Sequence, residues 1–377
     1  MRFFKKSFIA FSICFIVTLF SSFIPSVNAN VELSSPSYVL MDKKTGEVLL
    51  KNNENERRAI ASVTKIMTML LTFEEIEKGN ISLSDKISAS ENATKMGGSQ
   101  IYLKEHEEMT LETLIKSVFV ASANDSCVAI AEHLCGNEES FVVKMNERAK
   151  ELGLKNSSFK NPHGLDEDGH YSSAYDLAVI SRELMKYDIQ KYTTIWQDTI
   201  RNGEFTLSNT NKLIRFYPGA TGLKTGSTSK AKNCISATAK KGDFELIAII
   251  LGAPSSKDRF NDAKALLNYG FSNYKLLSLA SSDKKIAECE IEYSNISSIP
   301  LFPENDLDCL IKSNDNSEIK TEISAPKSLK APVKKGDKIG EVRFLKKGEE
   351  VGKTSLVAGE DAHRKTYFDI VKEFMLS

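Results

Sequence analysis

A chain of 377 residues with 50 basic and 50 acidic side chains, 41% hydrophobic and 27% charged, has apolar material for one large domain and a smaller companion. Its formal neutrality gives no sign of the basic excess with which proteins neutralise nucleic-acid phosphates, so no nucleic-acid partner is expected. Five cysteines remain once the first 29 residues are set aside, an odd number that argues against a complete disulfide framework.

In chain order, residues 1–29 read as a secretory signal. Arg2, Lys5 and Lys6 precede an apolar stretch over residues 8–23, then Pro25 and the small-residue ending Val27-Asn28-Ala29, with cleavage after Ala29. An uncleaved membrane span is the rival reading, weakened by Ser12, Ser21 and Ser22. Apolar runs at 38–41 and 48–50 flank Lys44-Thr45-Gly46 as strands flank a hairpin turn. A helix follows Ser62, with Ile66, Met67, Leu70, Leu71 and Phe73 on its apolar face. Two amphipathic helices, 110–121 and 125–134, leave Ser122-Ala123-Asn124 at the break between them. Further helices are expected over 138–152, stopped by Gly153, and over 174–187, where Ser173 and Asp176 have capping-box-like spacing. Lys224-Thr225-Gly226 follows a turn-rich stretch and precedes strands at 234–239 and 244–252. It therefore reads as an edge strand, with a glycine where a ligand backbone comes close. Beyond residue 275, short β-type runs such as 286–293 and 338–344 alternate with turn-rich stretches, as in a small β-domain.

Three polar motifs in this order carry the chemistry: Ser62-Val63-Thr64-Lys65, Ser122-Ala123-Asn124 and Lys224-Thr225-Gly226. Each alone is weak, because Ser-x-x-Lys recurs at eight other places, Ser157/Lys160 and Ser227/Lys230 among them, and Lys-Thr-Gly at residue 44. Ser62 stands apart through its place at a helix start, where Lys65, one turn on, reaches the hydroxyl. A serine is a poor nucleophile without an adjacent base, and Lys65 serves as that base only when neutral. A dry pocket near a second cation, Lys224, would drive off its proton.

With these flanks the chain resembles the low-molecular-mass penicillin-binding proteins that act as D-alanyl-D-alanine carboxypeptidases, over nearly the whole mature sequence. The supporting stretches are Ala61-Ser62-Val63-Thr64-Lys65-Ile66-Met67-Thr68, Ala121-Ser122-Ala123-Asn124-Asp125-Ser126-Cys127, Asn161-Pro162-His163-Gly164-Leu165 and Thr221-Gly222-Leu223-Lys224-Thr225-Gly226. The resemblance implies an α/β (α+β) fold of the serine β-lactamase and penicillin-binding transpeptidase type. That fold has an antiparallel sheet, a helical subdomain and a small C-terminal β-domain. It implies a catalytic domain over 30–275, the β-domain over 276–362, and removal of the terminal D-alanine from peptidoglycan pentapeptides through an acyl-enzyme on Ser62.

The roles it implies are Lys65 as general base, Ser122 as proton relay to the leaving D-alanine, Asn124 as peptide holder and Lys224 as positive charge and proton-transfer partner. Thr225 and Gly226 would line the substrate strand, and the N–H groups of Ser62 and Ser227 would form an oxyanion hole. Arg259 would pair with the substrate carboxylate, which suits a bidentate guanidinium. β-Lactams would acylate Ser62. Ala123, where class A β-lactamases carry Asp, favours the carboxypeptidase branch. A β-lactamase and a non-catalytic β-lactam or wall-peptide binding module are the rival readings.

Neither metal nor cofactor is expected. His106, His133, His163, His170 and His363 lack ligand spacing and read as loop or surface residues. Cys127 and Cys135 lie about 12 Å apart on one helix, too far to bridge. Cys289 and Cys309 are left open as a pair, and Cys127 reads as a packed apolar residue beside Asn124. At the C-terminus, Tyr367, Phe368, Ile370, Val371, Phe374 and Met375 recur at helical spacing. Residues 363–377 thus read as an amphipathic helix, too short to span a bilayer but suited to its surface. The enzyme is then expected to be exported, held peripherally on the outer face of the cytoplasmic membrane or secreted.

Overall fold

A computed structural model describes residues 31–376. The signal-peptide reading and Cys14 fall outside the described residues. The main sheet has five antiparallel strands: β1 (Ser37–Asp42), β2 (Val48–Asn52), β3 (Ala220–Thr228), β4 (Lys232–Lys241) and β5 (Phe244–Ala253). Their spatial order is β2-β1-β5-β4-β3, so β3, the strand of Lys224, lies at an edge. β5 sits at the centre, and Phe244-Glu245-Leu246-Ile247-Ala248-Ile249-Ile250-Leu251 is buried throughout. Such a run carries no alternation because both of its faces are covered. β1 and β2 form the expected hairpin, with Gly46 at φ +77° in the turn.

One face of the sheet carries α6 (Ser256–Asn273), packed through Phe260, Ala263, Leu266 and Leu267. The other carries the helical region: α1 (Lys65–Glu77), α2 (Leu111–Ala121), α3 (Asn124–Cys135), α4 (Glu138–Glu151) and α5 (Ala174–Leu184). α1 is buried on almost every side, through Ile66, Met67, Met69, Leu70 and Leu71. The capping spacing at Ser173 is realised, Asp176 N donating to Ser173 Oγ at 3.2 Å. α5 ends three residues before the expected position, at Leu184. α4 stops before Gly153, which adopts φ +71°.

From Tyr274 to Ala358 the regular structure is all β. Six strands pair in the order 319–324, 338–346, 349–358, 298–303, 287–292, 328–330, and Tyr274–Ala280 pairs with Leu307–Lys312. A separate core, including Cys289, Ile299, Leu301, Val342, Phe344 and Leu356, fills this part. Cys289 and Cys309 are both free thiols, as are Cys127, Cys135 and Cys234, so the open pairing is not formed. The last helix runs only from Tyr367 to Leu376, because Thr366 and Asp369 cap its start: Thr366 N donates to Asp369 Oδ2 (2.8 Å) and Asp369 N to Thr366 Oγ1 (3.3 Å). Tyr367, Phe368 and Met375 are exposed. Among the described residues no helix is long and apolar enough to cross a membrane.

Candidate active site

Ser62 lies in a single 3-10 turn, Ala61–Thr64, that leads into α1. This differs from the expected α-helical start, and the difference shortens the reach to Lys65. In a 3-10 turn side chains three apart eclipse one another, and Lys65 Nζ lies 2.9 Å from Ser62 Oγ. Ile60, Val63 and Ile66, all buried, pin the turn to the core.

Lys65 is fully buried and has two further partners, Asn124 Oδ1 and the His163 carbonyl, each at 2.6 Å. Ser122-Ala123-Asn124 supplies the first. Ser122 closes α2 in a left-handed conformation (φ 63°, ψ 32°) that reverses the chain, so α3 begins with Asn124 facing Lys65. Asn124 Nδ2 donates to Gly97 O at 2.6 Å, which assigns the other amide atom, Oδ1, to Lys65.

Lys224 is buried on β3 and donates to Thr225 O at 2.9 Å. Burial lowers both lysines, Lys65 to about 8, and the like charge of Lys65 drives Lys224 down further. The buried Cys127 thiol is electrostatically coupled to both lysines, and burial pushes it up to about 12, so it stays protonated. It is a packed residue, as expected.

Thr225 is buried and donates to Thr210 Oγ1 at 2.7 Å. Ser227 is exposed, with its hydroxyl 3.4 Å from Asn233 Oδ1. Gly226 faces the nucleophile turn: a Cβ there would lie 2.8 Å from Ser62 N and 2.9 Å from both Ile60 O and Val63 N. The backbone that approaches this glycine is the chain's own, where sequence reasoning expected a ligand. Arg259, in the first turn of α6, is only 7% exposed. Its Nη1 donates to Gly226 O (3.0 Å) and Cys234 O (3.3 Å), and its Nη2 to Ser256 Oγ (3.1 Å). Burial lowers its pKa to about 10, and its Nε has no hydrogen-bond partner.

All nine sequence-designated residues thus belong to two facing walls. Ser62, Lys65, Ser122 and Asn124 stand on the helical side, and Lys224, Thr225, Gly226 and Ser227 on β3, with Arg259 bound to that strand. The peptidase S11 model, D-alanyl-D-alanine carboxypeptidase, matches residues 24–255, and the penicillin-binding protein 5 C-terminal domain matches residues 274–364. The chain belongs to the D-alanyl-D-alanine carboxypeptidase family. Among curated relatives of this carboxypeptidase, D-alanyl-D-alanine carboxypeptidase DacF of Bacillus subtilis is 44% identical over 344 residues, 90% of this chain and 88% of the relative. Among solved structures, penicillin-binding protein 5 from Haemophilus influenzae superposes with a TM-score of 0.74 at 31% identity, covering 88% of this chain and 98% of that one. Penicillin-binding protein D2 from Listeria monocytogenes, in its ampicillin-bound form, gives a TM-score of 0.59 at 29% identity, over 64% of this chain and 99% of that one.

Sequence reasoning missed three participants in the carboxypeptidase site. The His163 carbonyl carries no residue signature, although Asn-Pro-His-Gly marked the bend that presents it. Its imidazole is buried, with Leu165 N donating to Nδ1 (3.2 Å) and Glu138 Oε1 3.4 Å from Nε2. Thr210, which accepts from Thr225, lies outside every motif. His170 lies in a loop, as expected, but is buried and within hydrogen-bond distance of Thr64.

Proposed function

We propose that in this serine-type D-alanyl-D-alanine carboxypeptidase Ser62 is the residue acylated by the wall peptide, with neutral Lys65 as its base. The observation that carries this reading is the set of partners around Lys65 Nζ. Asn124 Oδ1 and His163 O, its two shortest contacts, only accept hydrogen bonds. A neutral amine has two protons to give them, and its lone pair is then left for Ser62 Oγ, the one partner with a proton to lose.

Ser62 Oγ attacks the carbonyl of the penultimate D-alanine while its proton passes to Lys65. The Ser62 and Ser227 N–H groups receive the developing oxyanion. Collapse breaks the C–N bond, Ser122 and Lys224 deliver a proton to the leaving D-alanine, and water then hydrolyses the ester. Asn124 holds the peptide, while Thr225 and Arg259 bind the terminal carboxylate. The guanidinium also donates to the Gly226 carbonyl and so braces the strand beside the substrate. A β-lactam meets the same serine and acylates it.

The reading extends to location. The apolar leader over residues 8–23 directs export, and residues 30–275 form the catalytic domain, with 276–362 as the β-domain. The exposed Tyr367, Phe368 and Met375 of the last helix rest on the outer face of the cytoplasmic membrane.

The deciding experiment is Ser62→Ala. Covalent labelling by fluorescent penicillin and release of D-alanine from a D-Ala-D-Ala peptide should both vanish while the thermal midpoint is kept. Labelling that persists at another serine overturns the assignment.

A further inference from the structure

We infer that His170 is a positioning residue for the nucleophile: its hydrogen bond to Thr64 Oγ1, passed on to the Ala61 carbonyl, fixes the turn that presents Ser62. The argument begins from one main-chain amide. Lys160 N–H points at His170 Nδ1 from 3.1 Å. An amide only donates, so Nδ1 carries no proton, and the neutral ring holds its proton on Nε2. Thr64 Oγ1 lies 2.7 Å from that nitrogen and accepts it. The threonine hydroxyl is then left to donate in turn, and it does so to Ala61 O at 2.8 Å.

The ring is 6% exposed and packed edge-on against Phe159, with centroids 5.9 Å apart. Burial pushes its pKa down to about 4; the charges of His163 and Lys160 act in the same direction and Asp166 opposes them. The imidazole is therefore neutral at neutral pH, and the direction of the relay is fixed.

The residue at the end of the relay needs such support. Ala61 sits at φ +47°, a region that L-residues with a Cβ disfavour and that persists only where the surroundings over-determine it. On the far side of its carbonyl lies Gly164, at φ +86°, where a Cβ would run into Ala61 O. The same loop presents the His163 carbonyl to Lys65. His170 thus ties together the two segments that must stay in register. Through Lys160 it holds the loop that orients the base, and through Thr64 the turn that carries the nucleophile.

The inference rests on Ser62 being the acylated residue, and the test separates the two. Two quantities are measured with fluorescent penicillin: the fraction of chains labelled at saturation, which reports folding, and the acylation rate constant of that fraction. His170→Phe removes both hydrogen bonds, and His170→Asn keeps an acceptor near Nδ1 while removing the donor to Thr64. Both should slow acylation, and kcat on a D-Ala-D-Ala peptide, by about 10- to 100-fold, the scale of an ångström-sized misplacement. KM and the labelled fraction should hold.

His170→Gln, whose amide nitrogen reaches the Nε2 position, should recover most of the rate. Thr64→Val should match His170→Asn, Thr64→Ser should rescue it, and the double variant His170→Asn/Thr64→Val should be no slower than either single change. A wild-type acylation rate in Thr64→Val, losses confined to the labelled fraction, or additive losses in the double variant overturn the inference. Should His170→Asn not fold, the Thr64→Val and Thr64→Ser pair decides alone. Persistent labelling of Ser62→Ala overturns the underlying site instead.

Discussion

Gly226→Ala puts the architecture of the site to its hardest test, because the substitution adds one methyl group where two walls meet. The new Cβ would stand 2.8 Å from Ser62 N and 2.9 Å from Ile60 O and Val63 N, and all three are main-chain atoms that no rotamer change can move. Non-bonded carbon contacts settle near 3.5 Å or more, so β3 and the nucleophile turn must part by about 0.7 Å. Overpacking of this kind costs about 1–3 kcal/mol, and the thermal midpoint should drop by about 2–4 °C for each of them. The folded enzyme should survive. Its chemistry should not, since the N–H groups of Ser62 and Ser227, the oxyanion donors we propose, sit on opposite sides of the widened gap and loss of one such donor costs about 100-fold or more in kcat. Release of D-alanine and the rate of penicillin acylation, read beside a melting curve, make the measurement. A folded variant within about threefold of the parent kcat/KM would show that the contact between strand and turn does not set the catalytic geometry.

Acylation should rise with pH and level off above about pH 8, because burial lowers Lys65 from 10.5 to about 8 and only its neutral form accepts the Ser62 proton. At pH 7 the rate should be about a tenth of the plateau, and a flat profile from pH 6.5 to 9 would contradict Lys65 as base. Arg259→Ala should lower kcat/KM by a factor equivalent to about 1.5–3 kcal/mol. Converting the substrate carboxylate to an amide should then bring little further loss, whereas additive losses would assign the carboxylate to another group. Deleting residues 364–377 should release the signal-cleaved enzyme into the soluble fraction with its peptidase activity unchanged; retention on membranes or unfolding would count against the anchor.

Individual strands of the main sheet and the Ser62–Lys65 spacing were legible because local pattern writes them into the chain. Ser62 and Lys65 are three residues apart on one turn, and apolar runs between turns mark β1, β2, β4 and β5, whereas their union in one antiparallel sheet was implied by the family resemblance. What escaped was written in the backbone or in contacts between distant segments. The His163 carbonyl has no side-chain signature, and Thr210 meets Thr225 across 15 residues. His170 reaches Thr64 across 106 residues, so no spacing rule could have joined them. The environment of Gly226 was misread for the same reason: a glycine signals a close approach but not the identity of what approaches. The order of the C-terminal strands, in which 328–330 pairs in parallel with 287–292, follows from no local pattern. The final helix begins at Tyr367, four residues after the expected start at 363, because Thr366 caps it there; all six periodic apolar residues fall within it.

The edge position of β3 has a consequence beyond the site it lines. A strand whose outer hydrogen-bonding groups are unclaimed is the most adhesive border a sheet can have, and an unguarded one invites a second molecule to zip alongside. A carboxypeptidase that works through such a border cannot cap it with a permanent neighbour. Here the stretch from Gly222 to Gly226 is sunk against the helical side, and exposure begins only at Ser227. The border is thereby recessed along the stretch that faces the nucleophile turn, and only its far end, from Ser227 onward, is left exposed for another sheet to pair with.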